Sequence, residues 1–220
     1  MRAKLTWADI VMLVVWLLPL AYFVYVYPQL PNNVALHFNL KGEPDRWGHK
    51  QESIFPVMLI FGVSIVVALL VRFLPNIDPK KKVKYSQPVL VKLSYALVFF
   101  MSAMNVVIIY STKMGHFVMN ARILYPAIFL LMAYLGNLFN NLKPNYFVGV
   151  RTPWTLENEV VWKKTHQLAG RLWLGGGVLL AILTFATNGI TAEIIFGIGV
   201  ATLVLIPIIY SYIYYQKTAK

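Results

Sequence analysis

The sequence contains no cysteine, which excludes disulfides, thiolate metal sites and cysteine nucleophiles. Charge is scarce as well, since Asp and Glu number only 8 in 220 residues and all charged residues make up 13% of the chain. An average soluble domain carries about 25% charged residues. Hydrophobic residues, in contrast, make up 59%, and the mean hydropathy is +0.63. This balance excludes an ordinary cytoplasmic enzyme, a disordered chain and a disulfide-stapled secreted module, and it predicts an integral membrane protein.

Six apolar runs are long enough to cross a bilayer, which takes about 20 apolar residues in a helix. Inside a bilayer every backbone N–H and C=O must be paired within the protein, so runs of this length are predicted to be helices. The sequence therefore predicts an all-α protein with six transmembrane helices. The predicted spans are Leu5–Val26, Ile54–Leu74, Leu90–Tyr110, Leu124–Phe139, Leu168–Ala186 and Ile194–Tyr214.

The distribution of positive charge predicts which side each loop faces, because cytoplasmic loops of membrane proteins are enriched in Lys and Arg. With the N-terminus inside, fifteen of the 20 Lys and Arg residues fall on the inner side. The other five fall on the outer side, and they are Lys41, Arg46, Lys50, Lys113 and Arg122. We therefore predict that both termini lie in the cytoplasm.

Neither an internal repeat nor a flexible linker divides the sequence, so residues 1–220 are predicted to form a single polytopic membrane domain. Two connections are much longer than the few residues that usually join helices of a bundle. We call residues 27–52 the outer loop and residues 140–167 the inner loop, after the sides on which they are predicted to lie. Both are predicted to be folded.

In the outer loop, Val34, Leu36 and Phe38 alternate with other residues, which predicts a short strand. The Lys-Gly-Glu-Pro sequence at residues 41–44 then predicts a turn. Side chains near that turn are predicted to gather into a binding face for a peptide or a lipid headgroup. They are His37, Asn39, Glu43, Asp45, Arg46, Trp47 and His49. We predict no metal and no cofactor, and the alternative is a metal site of His37, His49 and His116, whose spacing matches no recognised ligand pattern.

The inner loop is predicted to lead into a helix whose N-cap is Thr155, with Glu157 and Glu159 in the first turn, where the helix dipole favours acids. The helix is predicted to be amphipathic and interfacial, with Trp162 as its membrane anchor. Arg151 lies in a segment dense in Gly, Pro and Trp. We expect it to pair with Glu157 or Glu159, while stacking on Trp154 or binding a phosphate are the alternatives.

One string in the inner loop has a specific pattern. It is Gly149-Val150-Arg151-Thr152-Pro153-Trp154-Thr155-Leu156, followed by Glu159, Trp162, Lys164, Thr165 and His166. This string resembles the signature of the SdpI immunity-protein family. The outer loop from Leu30 to Gly48 resembles the domain of unknown function that precedes this signature in many members.

The resemblance implies a six-helix protein of the bacterial plasma membrane, with an N-terminal family domain at 1–112 and an SdpI-type domain at 123–215. The best-understood members of the family protect the producing cell from the secreted toxin SdpC and, with toxin bound, draw the repressor SdpR to the membrane. The implied partners are thus membrane lipids, a peptide toxin outside and a repressor inside, with no direct nucleic-acid contact. The implied signalling motif consists of Asn145, Gly149, Arg151, Thr152, Pro153, Trp154, Thr155, Glu159, Trp162 and His166.

The sequence leaves two alternative functions open. A small membrane transporter or lipid-interacting protein would use polar groups inside the spans, which offer little beyond Asn105. A metal-dependent membrane enzyme would use the outer-loop histidines, but neither loop contains a Ser–His–Asp set, a His-Glu-x-x-His pair or a Gly-rich phosphate loop. We therefore predict that the protein is not an enzyme. Close helix contacts are predicted at Gly175, Gly176, Gly177 and Gly197.

Overall fold

The computed structural model describes residues 6–39, 41–77 and 87–218, and these residues contain six helices of membrane-spanning length and hydropathy. The α-helical segments that form these six spans, together with the short α5, are α1 (Trp7–Val26), α2 (Ile54–Ile77), α3 (Gln87–Met114), α4 (Ala121–Phe139), α5 (Pro153–Glu157), α6 (Glu159–Arg171), α7 (Gly177–Ala186) and α8 (Gly189–Thr218). The fifth span consists of α6, a π-helical turn at Leu172–Gly176 and α7. The predicted all-α, multi-pass architecture is confirmed.

The predicted orientation, with both termini in the cytoplasm, stays a prediction. Residues 2, 4, 80–82, 84 and 220, which carry much of the predicted inner charge, lie outside the described residues.

Within the described part of the chain, the β-structure is a hairpin in the outer loop, formed by β1 (Asn33–Phe38) and antiparallel β2 (Pro44–His49). The strand predicted from alternation is confirmed, and so is the turn. Gly42 adopts a φ of 80°, a left-handed conformation that glycine adopts readily. The Asn39 Oδ1 accepts the backbone N–H groups of Lys41 and Glu43 at 2.9 and 3.0 Å. The Gly42 carbonyl accepts the Phe117 N–H at 3.0 Å, which ties the turn to the connection between α3 and α4.

The chain divides into two compact units, residues 1–71 with 94–120 and residues 72–93 with 121–220. The first unit contains α1, the hairpin, most of α2 and most of α3. Its core is a cluster of buried apolar side chains, namely Phe23, Val26, Leu30, Val34, Val57 and Ile109. Asn105 of α3 is also buried, and its Nδ2 donates to the Val57 carbonyl of α2 at 3.2 Å. This polar side chain thus bridges two helices, a common role inside membrane bundles.

In the second unit, glycines bring the backbones of α4 and the fifth span into direct contact. A Cβ placed on Gly136 would lie 2.8 Å from the Leu174 backbone N, and one on Gly177 would lie 2.8 Å from an α4 carbonyl oxygen. Gly177, for which close contact was predicted, therefore does allow it. Gly175 and Gly197 do not, since a Cβ at either position would meet no atom of the described chain within 4 Å. Both lie on exposed helix faces, where no described residue packs against them.

A tryptophan of the fifth span compensates for a proline in α8. Pro207 has no N–H, so the Leu203 carbonyl one turn earlier lacks its usual intrahelical donor. The indole N–H of Trp173, in the π-helical turn, donates to that carbonyl at 2.7 Å. An unpaired backbone group inside a bilayer costs several kcal/mol, so this bond stabilises the pairing of the two spans.

Candidate functional site

A cleft of about 690 Å³ lies where the hairpin meets the first turn of α2. One part of its lining is apolar, with Leu36, Phe55 and Pro56, and the other is charged, with His37, Asp45, Arg46 and Glu52. All of these residues belong to the first unit. Sites for small ligands typically measure about 300–1,000 Å³. The cleft is therefore large enough to bind a small ligand at the end of a membrane span. We call it the outer cleft.

Two irregularities in the hairpin build the outer cleft. The pairs Ala35–Trp47 and His37–Arg46 leave Leu36 as an extra residue on β1. The pairs His37–Arg46 and Phe38–Pro44 likewise leave Asp45 as an extra residue on β2. Side chains of successive strand residues normally point to opposite faces. Because a bulge can redirect a side chain, the two consecutive residues of each strand, 36–37 and 45–46, all line one cleft.

Gly48 leaves space for two of the side chains that line the outer cleft, Leu36 and Glu52. A Cβ on Gly48 would lie 2.6 Å from Oε1 of Glu52 and 2.5 Å from Cδ1 of Leu36, both of which line the outer cleft. The Glu52 carboxylate is held in place from both sides, since Oε1 accepts the His49 backbone N–H at 3.0 Å and Oε2 accepts from Arg46 at 3.3 Å. A side chain at position 48 would therefore displace the ends of Leu36 and Glu52 and change the shape of the cleft.

The polar groups of the outer cleft form two pairs, of which His37–Asp45 is an ion pair only when the imidazole is protonated. The His37 Nδ1 lies 2.6 Å from Oδ1 of Asp45, and Arg46 pairs with Glu52. All four side chains are 44% to 68% exposed. Exposed pairs of this kind contribute only about 0–1 kcal/mol each. A ligand with complementary charges can therefore replace either pair at little cost.

The structure brings together only some of the outer-loop residues singled out from the sequence. His37, Asp45 and Arg46 line the cleft, whereas Asn39 and Glu43 bond to each other in the turn at 3.1 Å. His49 caps the 3₁₀ turn Lys50–Ser53, and Trp47 is half-exposed on β2. Sequence reasoning missed four lining residues: Leu36, Glu52, Phe55 and Pro56.

The histidine metal site is not formed. Among the residues that the structure describes, no three His, Asp or Glu side chains come close enough together to hold a metal ion, which counts against a site of His37, His49 and His116. His37 is engaged with Asp45, and His49 accepts the Gln51 N–H at 3.4 Å.

The first turn of the inner loop is organised by Asn145, which is fully buried. Its Nδ2 donates to the carbonyls of Lys143 and Val148, at 2.8 and 3.3 Å. Its Oδ1 accepts the N–H groups of Phe147 and Val148, at 2.9 and 2.8 Å. Residues 143–148 therefore form a closed turn around one side chain.

A histidine and a glycine fix the next part of the inner loop. The Nδ1 of His166 lies 2.9 Å from the Trp162 carbonyl, and Nε2 lies 3.1 Å from the Val150 N. A carbonyl only accepts, so Nδ1 carries the proton and Nε2 accepts the Val150 N–H. Gly149 has a φ of 111°, and a Cβ there would overlap Nε2 of His166. Position 149 thus needs glycine both for its conformation and for its space.

Thr155 is not the N-cap that the sequence predicted, because two helices share this region. Thr152 caps α5, with Pro153 as the first helical residue, and Asn158 caps α6 by accepting the N–H groups of Val160 and Val161. Thr155 lies inside α5, where its hydroxyl donates to the Val150 carbonyl at 2.9 Å. Glu159, but not Glu157, occupies a first turn, that of α6. The caps lie three residues to either side of the predicted position.

Trp162 is not an interfacial anchor either. It is 2% exposed, donates its indole N–H to the Leu142 carbonyl at 2.9 Å and stacks on His166 with ring centroids 4.0 Å apart. Its helix, α6, continues into the fifth span and is not a separate surface helix. Trp154 donates to the Ser211 hydroxyl of α8 at 2.7 Å. The inner loop is therefore held to the spans by two tryptophans.

Arg151 has a backbone partner where a carboxylate was expected. Its Nη1 donates to the Tyr146 carbonyl at 2.7 Å. Between described residues, the ion pairs are those of the outer cleft, so the predicted pairing of Arg151 with Glu157 or Glu159 is wrong. The side chain is exposed and closes the turn that Asn145 organises.

The residues that build the inner loop lie in a segment with known relatives. Residues 141–211 match the SdpI/YfhL protein family, and this segment contains every motif residue named above from Asn145 to His166. Over this segment the chain is similar to the SdpI family. Residues 14–62, which include the hairpin and the outer cleft, match a domain of unknown function, DUF1648.

One curated relative is the immunity protein SdpI of Bacillus subtilis (strain 168), to which the chain is 36% identical over 90 residues. These residues make up 41% of this chain and 42% of the relative, so the match spans less than half of either protein. No solved structure matches the chain. The six membrane-length helices, together with these similarities, indicate a multi-pass protein of the bacterial membrane.

Proposed function

We propose that this protein is a member of the SdpI family and acts as a membrane immunity protein and receptor. It binds a secreted, SdpC-like peptide toxin at the outer loop and relays that binding through the inner loop to a cytoplasmic repressor. The observation that carries the proposal is the 36% identity to an immunity protein over 90 residues. The division into residues 1–112 and 123–215 gives each half one task in this scheme, capture and relay.

The construction of the two loops supports a receptor. The outer loop presents exposed Trp47, a tied turn and a cleft, which together offer aromatic and charged groups to a peptide. The inner loop has a defined shape that a repressor can recognise, because Asn145 and His166 hold its backbone. A toxin changes the inner loop only if it binds one arrangement of the helices more tightly than another.

A survival assay tests immunity. The full chain is expressed in a toxin-sensitive Bacillus strain that lacks its own immunity protein, and SdpC is added. We expect protection relative to empty vector, and reduced protection by Trp47→Ala. The matched control is Trp7→Ala, which also removes an exposed tryptophan but lies at the start of α1, away from the hairpin in the sequence. No protection by wild-type protein that is present in the membrane would reject toxin immunity.

The relay is tested separately with a reporter gene under the repressor. We expect Arg151→Ala to reduce the toxin-dependent signal, because it removes the bond that closes the turn at Tyr146. Lys163→Ala removes a positive charge from the exposed face of α6 and serves as the control. Equal signals from the two variants at equal expression would remove Arg151 from the relay.

A further inference from the structure

The outer cleft lies at the boundary between water and hydrocarbon. Its apolar residues Phe55 and Pro56 belong to the first turn of α2, whose span begins at Lys50. Of its polar residues, His37, Asp45 and Arg46 belong to the hairpin, and Glu52 belongs to the 3₁₀ turn Lys50–Ser53 that leads into α2. Below Phe55, which is 71% exposed, the exposed side chains of Leu59, Val63 and Val66 follow along α2 at helical spacing. The cleft thus opens onto an apolar surface that lies within the bilayer.

The charges of the outer cleft alternate in sign within a small space. Asp45 and Glu52 supply two carboxylates, Arg46 supplies a guanidinium, and His37 supplies an imidazole. A ligand that carries only a negative charge would pair with Arg46 but would also lie close to the two carboxylates, which repel it. A ligand that carries only a positive charge would pair with the carboxylates but would be repelled by Arg46. A ligand that carries both charges a few ångströms apart satisfies the carboxylates with its cation and the guanidinium and imidazole with its anion.

From these observations we infer that the outer cleft binds the headgroup of a zwitterionic phospholipid with a primary ammonium group, such as phosphatidylethanolamine. The ammonium lies between Asp45 and Glu52, the phosphate contacts Arg46 and His37, and the acyl chains follow the exposed face of α2. An ammonium group with three N–H donors can bond to both carboxylates, which a trimethylated ammonium cannot do. The site goes beyond the proposed function, since a lipid can occupy it in the absence of any toxin.

Specific features of the hairpin determine which side chains line the outer cleft. A bulge on each strand turns consecutive side chains into it, and Gly48 leaves the space that Leu36 and Glu52 occupy. The Glu52 carboxylate is oriented by the His49 N–H, so it is in place before a ligand arrives. Preorganised groups of this kind bind with less loss of side-chain freedom.

Native mass spectrometry of the purified full chain in detergent tests the inference. Phosphatidylethanolamine, phosphatidylcholine and phosphatidylglycerol with identical acyl chains are titrated separately. We expect the ethanolamine lipid to bind about tenfold more tightly than the other two, the effect of losing one charge-assisted hydrogen bond. Arg46→Gln and Glu52→Gln should each weaken its binding about tenfold. Glu43→Gln, which changes a carboxylate of the turn outside the cleft, should weaken it less than about twofold.

Three results would overturn the inference. They are equal binding of the three lipids, full retention of ethanolamine-lipid binding by both cleft variants, or an equal loss in Glu43→Gln. If lipid binding is unchanged but binding of purified SdpC peptide falls in the cleft variants, the cleft is a peptide site and the lipid assignment is wrong. Unfolding temperatures of all variants are compared first, so that a misfolded protein is not scored. Because no step uses cell survival, failure of the lipid site and failure of toxin immunity are distinguishable.

Discussion

Replacing Gly149 with alanine tests whether the inner loop is held in one conformation. The residue has a φ of 111°, where a side chain is strained by about 1–3 kcal/mol. The new Cβ would also overlap Nε2 of His166 and break its bond with the Val150 N–H, which costs about 1–3 kcal/mol for a buried group. We therefore expect the free energy of unfolding to fall by about 2–6 kcal/mol. The measurement is reversible unfolding of the purified protein in mixed detergent–SDS micelles, followed by tryptophan fluorescence.

The control is Gly197→Ala in α8, where a Cβ meets nothing of the described chain within 4 Å. Alanine is the better helix former by about 1 kcal/mol, so this variant should be as stable as the wild type or slightly more so. The double variant Gly149→Ala with His166→Ala separates the backbone strain at residue 149 from the overlap with His166, because it removes the overlap but keeps the strain. If Gly149→Ala unfolds with the wild-type free energy, the contact between residue 149 and His166 does not hold the inner loop in one conformation.

Three further predictions concern the spans. Trp173→Phe should lower the free energy of unfolding by about 1–3 kcal/mol. The loss should be clearly smaller in a Pro207→Ala background, because residue 207 then has an N–H that can donate to the Leu203 carbonyl. Equal losses in both backgrounds would contradict the role of the indole. Gly136→Ala should cost at least about 1–3 kcal/mol, measured in the same unfolding assay, and wild-type stability would show that α4 is not in close backbone contact with the fifth span. A membrane-impermeant maleimide should label Lys113→Cys on intact cells but Lys163→Cys only after permeabilisation, and the reverse pattern would invert the topology.

The spans and the hairpin could be predicted because each depends on residues that are close in sequence. Hydropathy over about 20 residues identifies a span whatever surrounds it. The alternation from Val34 to Phe38 is a local pattern as well, and it correctly predicted β1. The closed turn around Asn145 was not predicted, because its four hydrogen bonds depend on a backbone path that no periodic pattern records.

The outer cleft could be predicted only in part, because it depends on strand register. His37, Asp45 and Arg46 have charged or polar side chains that attract attention in a sequence. Glu52 and Phe55 line the cleft only because bulges turn β1 and β2 toward them, and register irregularities have no reliable sequence signal.

The caps of the inner loop, in contrast, had a signal that was misread. Thr152 before Pro153 is a typical helix start, since proline is favoured at the first helical position, and Asn158 before Glu159 is another. The prediction assumed one helix where the structure has two, and it therefore placed a single cap at Thr155. Trp162 was misplaced for a different reason, since tryptophan occurs both at membrane interfaces and in cores, and composition does not distinguish the two.

The bond between Trp173 and the Leu203 carbonyl constrains the order in which substitutions can accumulate at two positions. A carbonyl oxygen has two lone pairs, so it can accept both the indole and a restored backbone N–H if Pro207 is replaced first. If Trp173 is replaced first, the same carbonyl is left without a donor inside the bilayer. Sequence drift should therefore pass through loss of the proline before loss of the tryptophan. Relatives that keep proline at the position of Pro207 should keep a hydrogen-bond donor opposite it, whereas relatives without that proline are free to vary at position 173.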